Sequence, residues 1–103
     1  MSVHEEIKQL VEANQIVIFM KGTPQMPMCG FSAATVEVLK ALGVPFQAVN
    51  VLARPEIREG IKQFSSWPTI PQVFIGGKFI GGCDIVREMH ASGELAKLVG
   101  QTG

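Results

Sequence analysis

Five consecutive apolar residues, Ile16-Val17-Ile18-Phe19-Met20, constrain the fold of this chain more than any other feature. Side chains alternate between the two faces of a strand, so an unbroken apolar run needs cover on both. The run is far shorter than the roughly 18 apolar residues that span a bilayer. Residues 16–20 therefore read as a strand packed between layers, and the flanking sequence supplies the layers. Val3, Ile7, Leu10 and Val11 recur at helical spacing with Glu and Lys between them, which predicts an amphipathic helix over 3–13 ended by Asn14. Lys21-Gly22-Thr23-Pro24 breaks the strand into a loop. Ala33, Ala34, Val36, Val38, Leu39, Ala41 and Leu42 form a second helix, closed by Gly43 and Pro45. Residues 46–51 make the next strand, and strand–helix–strand at this length predicts a right-handed βαβ unit with parallel pairing.

Pro55 suits the first turn of a third helix reaching about Phe64. Trp67-Pro68-Thr69-Ile70-Pro71 fits neither a regular helix nor a central strand. Residues 72–75 and 78–80, joined by Gly76-Gly77, predict a β-hairpin. Residues 84–90 and 94–99 give a last helical region interrupted at Ser92-Gly93. The order α-β-α-β-α-β-β-α over residues 1–103 predicts one α/β domain, a sheet with helices on both faces. Formal net charge is zero, which argues against a nucleic-acid partner or an anionic membrane surface. The acidic start, Ser2-Val3-His4-Glu5-Glu6, lacks the basic and apolar regions of a signal peptide. Two cysteines are too few for a disulfide scaffold, so a reducing cytosol is expected.

One of those cysteines stands where chemistry is expected. Cys29 lies in Pro27-Met28-Cys29-Gly30-Phe31-Ser32, between the first strand and the second helix. A thiol there meets unpaired N–H groups and the positive end of the helix dipole, which favour the nucleophilic, metal-ligating thiolate. The dipole supplies roughly 0.3–1 kcal/mol. Each pKa unit is worth about 1.36 kcal/mol, so the dipole accounts for about one unit at most. A larger shift needs a fixed cation, and Lys21 is the nearest candidate in sequence. The flanking prolines and Gly30 point to an exposed thiol; a buried, inert cysteine is the alternative. Ser32 occupies the position where a Cys-x-x-Cys site has its second thiol, so no disulfide can form within the motif. A mixed disulfide on Cys29 must be resolved by an outside thiol, or by Cys83 if the two Cα atoms lie within about 7 Å.

The element order, with a helix-opening cysteine after the first strand and Thr69-Ile70-Pro71 before the third, resembles the thioredoxin fold. Four blocks narrow the likeness: Lys21-Gly22-Thr23-Pro24, Cys29-Gly30-Phe31-Ser32, Trp67-Pro68-Thr69-Ile70-Pro71-Gln72 and Gly81-Gly82-Cys83-Asp84. In this order, across residues 3–99, they resemble the monothiol (CGFS-type) glutaredoxins. The resemblance implies a four-stranded mixed sheet and a protein that binds glutathione. It also implies a [2Fe–2S] cluster bridged between two subunits and transferred onward. An all-thiolate cluster needs four sulfur ligands. Cys29 from each of two chains and two glutathione thiols make four, which predicts a homodimer held chiefly by cluster and glutathione.

Further roles follow from the same likeness. Lys21 and Arg58 face the glycyl carboxylate of glutathione, with Lys62 a weaker candidate on the same face; the alternative for Arg58 is a solvated helix residue. Gly82, Cys83 and Asp84, at the start of the last helix, face the γ-glutamyl end, and Asp84 can cap the helix as well. A cis Pro71 lets the backbone of Ile70 pair with the tripeptide, and Thr69 lines the same groove. Trp67 reads as a packing aromatic. Phe31 is expected at the rim, facing a second subunit or a client, with Met26 and Met28 as a soft contact surface. His4 and His90 are expected in solvent. An iron–sulfur carrier with at most weak oxidoreductase activity is the leading reading. The alternative is a glutathione-dependent thiol–disulfide oxidoreductase (deglutathionylation) using Cys29 alone; a third is a module that docks BolA-like proteins. Iron–sulfur acceptor proteins are the other implied partners. The expected location is the bacterial cytoplasm, or an organelle for a mature protein stripped of its presequence.

Overall fold

The computed structural model describes residues 2–102. Its elements are α1 (Val3–Ala13), β1 (Ile16–Met20), α2 (Gly30–Ala41), β2 (Gln47–Asn50), α3 (Pro55–Ser65), β3 (Gln72–Ile75), β4 (Lys78–Gly81), α4 (Cys83–Ser92) and α5 (Glu94–Thr102). The sheet order is β2-β1-β3-β4. β1 runs parallel to β2 and antiparallel to β3, and β3 and β4 form the glycine-turn hairpin. The sheet is therefore mixed and four-stranded, as the thioredoxin-like resemblance implied.

β1 explains the architecture. All five of its residues have zero exposure. Ile16, Ile18 and Met20 pack with Val36 and Leu39 of α2, Val86 of α4, and Leu95 and Val99 of α5. Val17 and Phe19 point the other way, onto Ile7 and Val11 of α1 and Ile57 and Ile61 of α3. The period-two alternation of a strand splits one apolar run between two cores. Each such side chain contributes about 1.5–3 kcal/mol on burial. On the α1/α3 face, Phe74 meets Phe19 edge-on at 5.7 Å between ring centroids. Arg54 ties these two helices together, with Nη2 donating to Glu6 of α1 at 3.0 Å and Nε donating to Glu56 of α3.

Boundaries differ from the sequence pattern in a few places. α2 starts at Gly30, three residues before its first alanine, because Cys29 already accepts the first helical bond from Ala33 N–H at 2.9 Å. Phe46 and Val51 fall outside β2. The last helical region divides into α4 and α5 at Gly93, whose φ of 84° is open to glycine at little cost. His4, although exposed, lies on the ring of Phe64 at 4.9 Å.

Candidate functional site

Beyond Met20 the chain leaves the sheet and doubles back. Thr23 and Met26 exchange backbone hydrogen bonds of 3.2 and 3.1 Å, Gly22 bridges Pro27, and Met28 N–H donates to the Lys21 carbonyl at 2.9 Å. The result is a small closed loop that delivers Cys29 to the head of α2. Cys29 is the N-cap residue in extended conformation, φ −157° and ψ 135°. Ser32 is wholly buried, and its hydroxyl accepts the Lys21 N–H at 3.1 Å. The residue standing where a second thiol would be therefore ties the end of β1 to the first turn of α2.

The Cys29 thiol is half-buried, and its pKa lies below the ordinary cysteine value. The backbone N–H of Ser32 is the largest cause, partly opposed by desolvation. The N–H of Phe31, the Ser32 hydroxyl and, least of all, the charge of Lys21 add to it. No complete capping hydrogen bond joins the sulfur to these amides, so they act as oriented dipoles aimed at it. The helix amides lead, as expected for a thiol at a helix N-terminus, and Lys21, the expected source of any larger shift, contributes least. Because folding lowers this pKa, ionised Cys29 favours the folded state above the unfolded thiol's pKa of about 8.5. That contribution fades as pH falls through the lower folded value.

Ser32→Ala tests this arrangement. It leaves a partly buried Lys21 N–H without its acceptor, at an expected cost of about 1 kcal/mol, and it raises the thiol pKa. Urea unfolding and a titration of thiolate absorbance measure the two effects. A variant with both unchanged would show that the hydroxyl is a bystander.

Opposite Cys29, the segment Trp67–Pro71 is held by Gln72, a fully buried side chain. Its amide donates to the carbonyls of Trp67 and Thr69 at 3.0 and 3.1 Å. The Ile70–Pro71 peptide bond is cis. Trp67 packs on Phe79 at 5.7 Å, and its indole N–H is buried without a partner in the chain. Gly82 closes this corner; a Cβ there would lie 3.2 Å from the Pro71 carbonyl oxygen.

Between these parts runs a groove of about 450 Å³, within the size range of small-molecule sites. Cys29, Lys21 and Phe31 line one side, Arg58 and Lys62 of α3 another. Pro68, Thr69, Ile70 and Pro71 line it too, the last two buried, with Cys83 and Asp84 at the head of α4. The sequence-selected residues thus converge, except that Gly82 adjoins the lining without forming part of it. The groove carries three cationic side chains, and Arg58 Nε is buried with no partner in the chain. Cys83 is 6% exposed. Phe31, which lines the groove, is 63% exposed, and Met26 and Met28 in the adjoining loop are 69% and 63% exposed. Among the described residues no cluster of three or more His, Cys, Asp or Glu could hold a metal ion.

The sequence reading missed two carboxamides. Gln72 holds the Trp67–Pro71 segment, and Asn50 Oδ1 accepts from Gly22 N–H at 2.9 Å and Leu52 N–H at 3.0 Å. An amide at the end of a β-strand was the only signal for Asn50, too common to single it out.

Comparison with known proteins agrees with this geometry. The family profile of the glutaredoxins matches residues 16–80. The chain is 54% identical over 93 residues to an uncharacterised monothiol glutaredoxin of Synechocystis, covering 90% of this chain and 87% of that protein. It is 52% identical over 100 residues to the mitochondrial monothiol glutaredoxin-5 of Saccharomyces cerevisiae, covering 94% of this chain and 67% of the yeast protein. The crystal structure of a buckwheat glutaredoxin–glutathione complex superposes with a TM-score of 0.87 at 32% identity, over 98% of this chain and 90% of that one. No helix among the described residues is long and apolar enough to cross a membrane.

Proposed function

The chain belongs to the glutaredoxin family, among its monothiol members, and from that premise we propose that its groove binds glutathione and, between two such chains, carries a [2Fe–2S] cluster to acceptor proteins. One observation carries the proposal: a thiol of lowered pKa faces a groove with three cations, while a buried serine stands where an intramolecular resolving thiol would be. In this reading Lys21, Arg58 and Lys62 meet the glycyl carboxylate. The unpartnered Arg58 Nε is a ready donor, and charge-assisted bonds to carboxylates are the stronger kind. The amides at the head of α4, with Asp84, hold the γ-glutamyl end, and the backbone of Ile70 pairs with the peptide between. The glutathione sulfur then lies beside Cys29.

The cluster is cargo, and the donor set fits a shared site. All-thiolate clusters take four sulfurs, while this chain offers Cys29 at the mouth and a buried Cys83. Two chains and two glutathiones complete the set. The exposed Phe31, Met26 and Met28 then face the second subunit, or a recipient of the iron–sulfur acceptor or BolA-like class. Two free cysteines suit a reducing bacterial cytosol or an organelle matrix.

The lowered pKa of Cys29 also supports a second reading, deglutathionylation. The thiolate attacks a protein–glutathione disulfide, releasing the protein thiol and leaving glutathione bonded to Cys29. A second glutathione thiolate displaces it as oxidised glutathione. Ser32 cannot perform that step, so turnover depends on free glutathione.

Anaerobic reconstitution with iron and sulfide, with and without glutathione, distinguishes the readings. Carriage of a shared cluster predicts a coloured dimer that requires glutathione and a colourless monomer without it. A stable coloured monomer, or full loading without glutathione, would overturn it.

A further inference from the structure

We propose that Asn50 is a positioning residue for the loop that presents Cys29. This extends the glutathione reading to a residue outside the groove, and its test does not depend on that ligand. Asn50 ends β2, paired with Met20, the last residue of β1. Its Oδ1 receives two backbone donors, Gly22 N–H and Leu52 N–H. Gly22 is the residue through which the closing loop turns, at φ +90°. It bridges Pro27, and its neighbour Lys21 accepts from Met28 N–H while donating to the Ser32 hydroxyl. A continuous chain of bonds thus runs from Asn50 through Gly22 and Lys21 to both flanks of Cys29. Neither β1 nor α2 offers Gly22 N–H another acceptor among its hydrogen bonds. The carboxamide therefore fixes the register at which the loop leaves the sheet, and with it the place of the sulfur at the head of α2. Only the oxygen of Asn50 is used, so an aspartate can replace it and leucine, of similar size, cannot.

The experiment compares Asn50→Leu and Asn50→Asp with the parent protein in high salt, where an added surface charge is screened. Amide hydrogen exchange is read at Gly22 and Met28, and the rate of alkylation at Cys29 by peptide mass spectrometry. Alkylation of the buried Cys83 serves as the control for global opening. A residue that only stabilises β2 locally would leave Met28 and Cys29 unmoved. For Asn50→Leu we expect exchange about tenfold faster at Gly22 and Met28, as befits a lost hydrogen bond, and several-fold slower alkylation of Cys29, with Cys83 unchanged. Asn50→Asp should stay within about twofold of the parent at all of these sites. Unchanged Met28 exchange and Cys29 alkylation in Asn50→Leu would overturn the proposal. So would an Asn50→Asp variant that departs from the parent as far as the leucine variant does. If the leucine variant does not fold, Asn50→Ala, which also lacks the accepting oxygen, takes its place under the same readouts and criteria. Failure of the glutathione reading leaves every one of these readouts in place.

Discussion

Cys29→Ser is expected to yield a folded protein that takes up no cluster and forms no glutathione adduct. The two side chains are nearly isosteric, and the position is half-buried at a helix cap where serine is itself favoured, so stability should hold or rise slightly. The chemistry disappears because a serine hydroxyl stays protonated and is a poor ligand for iron. Cys83 is no substitute, since it is buried at the head of α4. Loss should be complete to background in visible absorbance after anaerobic reconstitution, and in intact mass after treatment with oxidised glutathione. Circular dichroism checks the fold. A variant that still colours fully would place the cluster elsewhere and remove the basis of the functional reading.

The second large effect concerns Gly22→Ala. A Cβ built at this position lies 2.5 Å from the Met26 carbonyl oxygen and 2.6 Å from the Met28 nitrogen, both backbone atoms that cannot swing aside. The φ of +90° adds strain for any L side chain. Together these should cost about 3 kcal/mol or more, at the upper end of single substitutions. Urea unfolding measures the loss, and slowed alkylation of Cys29 should accompany it, because the closing loop sets where the sulfur stands. Gly30→Ala is the matched control, for a Cβ there meets nothing within 4 Å and the residue is helical. A loss below about 1 kcal/mol in Gly22→Ala would mean that the loop reorganises freely.

The architecture was largely legible because it rests on periodicity. The unbroken run Ile16–Met20 required two covered faces, and the helical spacing on either side supplied them. Element ends were less legible where side chains rather than periodicity set them. Gly30, Phe31 and Ser32 carry no helical pattern, yet the Cys29 cap and the Ser32–Lys21 bond make them the first turn of α2. At the site, the short motifs named the lining of the groove, while the residues that hold those motifs in place stayed hidden. Asn50 acts on Gly22 across 28 positions of sequence. Gln72 was visible only as the end of a motif, with nothing to say that it clamps two carbonyls. The balance of forces on Cys29 was also out of reach, because it depends on where two N–H vectors point.

The groove gathers five stretches of chain, around residues 21, 29–31, 58–62, 68–71 and 83–84, drawn from both layers and from the strand ends between them. An occupant would lace these distant stretches to one another, so that they could come apart only after it had gone. Filling the groove and resisting denaturation would then be a single equilibrium seen from two sides.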